Sequence, residues 1–351
     1  MRLSIGAKFS VTSSSIFNIN HCQATNMRIF TWHVHGSYLY FLSQGTYQLF
    51  IPVRNSRDEG YYGRGETFPF GSNVIEVPVE EVQQMEFDCI LFQTNRNYLV
   101  DQYEILSEAQ RKLPQIYLEH DPPTKHPTNS QHVMNNPDVM LVHVTHFNKM
   151  MWDNGIVPVM VIEHGVTQHD VPYTGTIPKG IVVINNLPAR GRLLGLDLFM
   201  EVRKHVPLDL VGMGTGELGL GEVLHPQLPQ FVSQYRFFFN PIRWTSMGLA
   251  ICEAMMLGIP IVGMATTELS SVIKNEHSGY IHTDIYYLID RMKALLENNA
   301  LAHQIGAEGK KVALEKFNID RFTHEWEGLF RSVILKGKHS KPLSEPVISA
   351  I

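Results

Sequence analysis

Short apolar runs alternate with segments of helical period along most of this chain. Runs at 28–33, 47–53, 74–78, 87–93, 115–119, 139–144 and 158–163 predict strands, with helices over 97–112 and 146–154. A second series follows, with strands at 180–185, 208–212, 235–239 and 259–263 and helices over 195–204, 247–257, 284–297, 299–316 and 319–334. Strands that alternate with helices form parallel sheets covered on both faces, so the expected class is α/β with two Rossmann-like halves. Gly165, Pro172, Gly175, Pro178 and Gly180 punctuate a polar stretch at 165–179, read as the linker between a first domain over 27–170 and a second over 171–335. Residues 1–26, rich in Ser and Asn, read as a loose extension, and 336–351 as a flexible tail.

A length of 351 residues suits two domains. Lys and Arg number 29 against 34 Asp and Glu, a net charge of −5 that disfavours a nucleic-acid partner. Cys22, Cys89 and Cys252 are far apart and form no C-x-x-C, so neither a disulfide framework nor a thiolate zinc site is expected. No apolar run reaches the roughly 18 residues of a membrane span, which with the cysteine usage points to a cytoplasmic protein. Residues 1–57 carry five basic side chains (Arg2, Lys8, Arg28, Arg54 and Arg57) and no acid. That face suits an anionic or lipid-linked acceptor and peripheral contact with the inner membrane face, or is simply solvated loop.

The densest chemistry lies in 239–263, where a strand, a tight loop, a helix and a second strand follow in quick order. Residues 245–249 open the helix, where amides without intrahelical acceptors and the helix dipole favour an anion such as a diphosphate. Gly248 lets the backbone approach closely. Glu253 sits among Leu249, Ala250, Ile251 and Ala254; a carboxylate is costly to bury there unless it accepts hydrogen bonds, which ribose hydroxyls supply. The alternative is a half-exposed Glu on an amphipathic helix.

This stretch closely resembles the C-terminal domain motif of family-four glycosyltransferases, which have the GT-B fold. Pro241, Gly248, Leu249, Glu253, Ala254, Met255, Gly258, Pro260, Ile261 and Val262 match its positions, and the likeness continues through Glu268, Val272 and Gly279 to about Phe330. The resemblance implies two Rossmann-like domains facing a central cleft, and transfer of a sugar from a nucleoside diphosphate sugar with retention and without a metal. No further cofactor is implied, and the acceptor is a glycan, a lipid-linked saccharide or a small molecule. It places His120, Thr245 and Arg190 at the reacting centre. Gly36, Arg192, Gly214, Thr215, Ser246, Met247, Gly248, Leu249 and Glu253 fall to the donor, and His35 and Ser37 to the acceptor. Thr245 replaces the first of the family's two glutamates, and Leu194 stands where a lysine is usual. These departures keep open a non-catalytic nucleotide-sugar-binding subunit, and the fold also admits a nucleotide-sugar epimerase.

Competing motifs have less support. In residues 210–216 the third glycine falls one residue early for a dinucleotide fingerprint, which disfavours NAD. His33-x-His35 and His143-x-x-His146 lack an accompanying carboxylate at metal-ligand spacing. Of the 17 histidines, His143, His146, His225 and His277 read as packing or surface residues.

Overall fold

The computed structural model describes residues 27–339. The expected extension at 1–26, with Cys22, and the tail beyond 339 lie outside the described residues.

In the first domain β1 (Arg28–Thr31), β2 (Gln48–Val53), β3 (Val74–Pro78), β4 (Cys89–Phe92), β5 (Gln115–Glu119), β6 (Val139–His143) and β7 (Val159–Val161) form one sheet in the order β3-β2-β1-β4-β5-β6-β7. In the second, β8 (Ile177–Val183), β9 (Leu208–Val211), β10 (Tyr235–Asn240), β11 (Ile261–Met264) and β12 (Tyr280–His282) run β12-β11-β10-β8-β9. Every neighbouring pair is parallel. Helices cover both faces of such sheets, which is why Cys89–Phe92 and Tyr235–Asn240 are buried at every position and read as continuous rather than alternating runs. Strand order reverses between β1 and β4 and again between β8 and β10, so each sheet opens a crevice beyond its carboxyl ends at that point.

The helices are α1 (Gly36–Leu42), α2 (Gln102–Ile105) and α3 (His146–Met151) in the first domain. The second has α4 (Leu187–Arg190), α5 (Leu196–Val202), α6 (Leu228–Val232), α7 (Leu249–Leu257), α8 (Leu269–Val272), α9 (Ile285–Glu297), α10 (Asn299–Lys316) and α11 (Ile319–His339). Several differ from the sequence reading. The helix expected over 97–112 is broken, because buried Asp101 is held by Asn97 at 2.8 Å and Arg96 at 3.2 Å while the chain widens into a π turn over Asn97–Asp101. The strand β8 starts at Ile177, inside the stretch read as linker, and α11 runs to His339, into the stretch read as tail. The elements α1 and β12 are too short to show a period.

One glycine fixes how α7 sits. A Cβ at Gly306 on α10 would lie 2.0 Å from the Gly258 carbonyl oxygen, so the two backbones touch where α7 ends. The last helix, α11, returns to the first domain. Its fully buried Trp326 donates to the Tyr38 hydroxyl at 3.1 Å, Phe330 packs edge-on to Tyr47 at 4.9 Å, and Glu327 accepts from Thr46 N at 2.9 Å. Polar bonds add to this seam: Trp244 Nε1 donates to the Pro123 carbonyl at 3.0 Å, and the Phe147 amide at the start of α3 donates to Glu268 Oε2 at 2.8 Å. The two sheets therefore face each other across a fixed gap. Among the described residues no helix is long and apolar enough to cross a membrane, and no group of three or more His, Cys, Asp or Glu is placed to hold a metal ion.

Candidate active site

A cleft of about 780 Å³ opens between the domains, at the carboxyl ends of both sheets. His33, His35, Gly36, Ser37 and Tyr38 follow β1 into it, and Tyr62, Arg64 and Phe68 complete the first domain's wall. Asn185 after β8, Gly212 and Met213 after β9, Glu222 and His225 before α6, and Leu249, Ala250 and Glu253 on α7 form the other. Both walls thus come from the switch points of their sheets, where the strand order leaves room for a ligand.

Gly36 opens α1 where nothing larger fits, since a Cβ there would meet the Phe68 ring at 2.4 Å and His33 Nε2 at 3.1 Å. His33 is itself fixed by a 2.5 Å hydrogen bond between its Nδ1 and the Gly63 carbonyl. His35 lines the cleft, and the His120 ring packs tilted against it one layer deeper at 4.0 Å, with Tyr38 edge-on to His120 at 4.9 Å. The Gln93 side-chain nitrogen donates to Thr31 Oγ1 and the Trp32 carbonyl, which leaves its Oε1 to accept from His120 Nε2 at 3.2 Å. Burial, then the neighbouring His35 and His164, hold His120 well below the usual imidazole pKa. Burial also lowers His35, against the opposing fields of Asp121, Glu119 and Glu59. The pair is neutral at pH 7 and offers hydrogen bonds rather than charge.

On the facing wall α7 begins at Leu249, not 247, because Gly248 is extended at φ −70° and ψ 136° and its carbonyl accepts from Ile251 N at 3.1 Å. Leu249 and Ala250 therefore carry the first amides, which lack intrahelical acceptors, and both residues line the cleft. The other residues expected at the site from this loop, Thr245 at the reacting centre and Ser246 and Met247 at the donor, are not in the cleft wall. Met247 is a core residue whose carbonyl accepts from His164 Nε2 at 2.8 Å, Thr245 Oγ1 donates to Asp121 Oδ1 at 3.4 Å, and half-buried Ser246 stands outside the cleft wall.

Glu253 is only 9% exposed; its Oε1 accepts from His225 Nε2 at 2.8 Å. Among the described residues no protein group donates to its Oε2. His225, read from the sequence as a packing or surface residue, is buried and also lines the cleft; spacing along the chain gives no hint that a residue 28 positions away meets this acid.

The expected cations part company. Arg190, at the end of α4, is exposed with no ion pair among the described residues, and its charge reaches His35 across the gap. Arg192 is instead spent on Asp197 at 2.5 Å, an acid that Arg243 also binds at 2.6 Å, and it stands away from the cleft. Leu194 is buried in the second domain's core. Gly214 and Thr215 lie beyond the wall, Thr215 being buried; the turn meets the cleft two residues earlier, at Gly212 and Met213, where Asn185 Oδ1 accepts from the Met213 amide at 2.9 Å. Sequence reasoning missed Arg64, which among the described residues is the only Lys or Arg in the cleft wall. Its signal was the flanking pair Gly63 and Gly65, both left-handed, at φ +68° and +65°. Arg64 donates to the Phe70 carbonyl, and its amide to Glu76 Oε1 at 2.6 Å.

Residues 191–298, within the second domain, match the family described as Glycosyl transferases group 1, which bears out the glycosyltransferase resemblance read from residues 239–263. N-acetyl-alpha-D-glucosaminyl L-malate synthase of Bacillus anthracis is 26% identical over 98 residues, 27% of this chain and 26% of that protein. The lipopolysaccharide core biosynthesis mannosyltransferase LpsB of Rhizobium meliloti (strain 1021) is 24% identical over 148 residues, 41% of this chain and 42% of that protein. The matched segments thus span about a quarter and two-fifths of those relatives' lengths. Sucrose-phosphate synthase from Thermosynechococcus elongatus superposes with a TM-score of 0.65 at 13% identity, covering 88% of this chain and 100% of that one. Anabaena HepE in complex with UDP and glucose gives 0.64 at 13% identity, covering 87% and 100%. The fold is GT-B.

The buried imidazoles make stability depend on pH. Burial pushes His164 down to about 4 against its bond to the Met247 carbonyl, and His143 down to about 4 against its bond to Asn154. Unfolded imidazoles titrate near about 6.5, so between these values the unfolded chain binds more protons and stability rises with pH. This contribution is full above about pH 6.5 and is lost as pH falls toward 4. Melting temperature should drop over that window, and His164→Gln should flatten the slope. Equal slopes in the two proteins would remove His164 from the account.

Proposed function

We propose that this protein is a glycosyltransferase that moves a sugar from a nucleoside diphosphate sugar to a glycan, lipid-linked or small-molecule acceptor. Retention at the anomeric carbon and independence of a metal belong to this reading through the family resemblance. The observation that carries it is the convergence of Glu253 with Leu249 and Ala250, the first turn of α7, on one cleft, opposite the Gly36 turn. The amides of Leu249 and Ala250, with the guanidinium of Arg190, which has no ion pair among the described residues, and that of Arg64, would stabilise the charge that grows on a departing diphosphate. Glu253 Oε2 would accept from ribose hydroxyls. Neutral His35, backed by His120, would hydrogen-bond the sugar or the acceptor hydroxyl, and Ser37 beside it would orient the acceptor. That HepE and two other structural neighbours were solved with UDP supports a nucleotide donor here.

A second reading has one observation in its favour. Thr245, in place of the family's first glutamate, is turned to Asp121, as suits a binding subunit that does not turn over. A thermal-shift screen over nucleoside diphosphates and their sugars tests the main reading, because a ligand at about 100 times its Kd stabilises the fold by about 2.7 kcal/mol. At least one diphosphate should raise the melting temperature, and its sugar should be consumed only when an acceptor is present. Binding without consumption supports the subunit, isomerisation of the sugar without acceptor supports an epimerase, and no shift with any nucleotide overturns the assignment.

A further inference from the structure

His225 stands between the two domains in a way the proposed chemistry does not yet use. It is 7% exposed, and its ring is enclosed by side chains of the first domain: Phe68 at 5.0 Å, Tyr40 edge-on at 5.1 Å and Phe41 at 5.9 Å. Its own backbone belongs to the second domain, immediately before α6, where its carbonyl accepts from the Leu228 amide at 3.3 Å. From that clasp Nε2 donates to Glu253 Oε1 at 2.8 Å. A chain of contacts therefore runs from Gly36, whose missing Cβ makes room for the Phe68 ring, through Phe68 and His225 to the acid on α7.

We propose that His225 is a positioning residue for donor binding: clasped by the first domain's aromatic side chains, it fixes Glu253 so that Oε2 faces the ribose. This rests on the reading of Glu253 as the ribose acid. A glutamate side chain has several rotatable bonds, and ordering it on binding costs affinity; a carboxylate already locked through one oxygen avoids that cost. The bond also satisfies one side of an acid that is otherwise buried among Leu249, Ala250 and Ala254. Because the clasp comes from the opposite domain, the acid is held in place only while the cleft keeps this width.

The test uses the full chain and whichever of uridine, guanosine and adenosine diphosphate the wild type binds best. His225→Phe keeps a ring in the clasp but removes the donor, and should weaken binding about tenfold, the factor expected for loss of one hydrogen bond to a charged group. His225→Gln restores an N–H at the position of Nε2 and should bind within about threefold of wild type on the same scale. In a Glu253→Ala background, His225→Phe should have no further effect on affinity, which a merely structural role would not produce. Should the Phe variant fold poorly, the Asn and Gln variants make the same comparison, since the shorter amide does not reach Oε1. A folded Phe variant with wild-type affinity overturns the inference, as does a Gln variant no better than Phe, or equal losses with and without Glu253. If the wild type binds none of the diphosphates, the glycosyltransferase reading itself falls and this inference falls with it.

Discussion

Glu253→Ala should weaken nucleoside diphosphate binding roughly 100-fold, about 3 kcal/mol, with Glu253→Gln losing roughly tenfold. The difference follows from the two oxygens. Oε1 belongs to His225, and a glutamine carbonyl still accepts that bond. Oε2 has no protein donor among the described residues, and on the proposed reading it is the atom left to accept from a ribose; an amide nitrogen there can only donate. Alanine removes both and also leaves His225 without its partner inside an aromatic clasp, which adds a desolvation penalty. Titration calorimetry reads both variants directly. An alanine variant within threefold of wild type would deny Glu253 any place in the nucleotide site.

Trp326→Ala should cost about 3–5 kcal/mol of stability, the usual range for emptying a buried indole. At roughly 2–4 °C per kcal/mol for a domain of 150–250 residues, the melting temperature should fall by about 10 °C. The side chain is fully buried on α11, packs 5.1 Å from Phe330, and gives its indole N–H to Tyr38. Tyr38 in turn lies edge-on to His120 at 4.9 Å and to His164 at 5.7 Å, so the loss reaches the histidine layer behind the cleft. Thermal melts followed by circular dichroism read the stability, and nucleotide affinity reads the cleft. Trp326→Phe should recover much of both. A loss below 1 kcal/mol for the alanine variant would mean that α11 does not bind the two domains together.

How much of this was legible follows from the range over which each feature acts. Long runs such as 115–119 and 235–239 sit on buried parallel strands and show their class without help. The group 1 motif was also legible, because the order of strand, loop, helix and strand that builds the start of α7 is local and needs Gly248, Glu253 and Gly258 at fixed offsets. Short elements were not. Nothing in seven residues separates α1 from a loop, and nothing in three reveals β12. Direction was the other failure: Met247 and Arg192 lie within a few residues of the cleft, yet Met247 is buried in the core with its carbonyl bonded to His164, and Arg192 pairs with Asp197.

The sequence by itself determined the α/β class, the two parallel sheets, the glycosyltransferase motif and the single acid at position 253, because periodicity and close spacing are properties of neighbours along the chain. Tertiary structure alone decided which groups share the cleft. Arg64, Phe68 and His225 reach it from loops whose geometry depends on distant partners, among them Glu76, Gly36 and Glu253. The width of the gap between the domains is decided the same way, by α11 crossing back to bury Trp326 against the first domain, since contacts between residues nearly 300 positions apart leave no mark on local pattern.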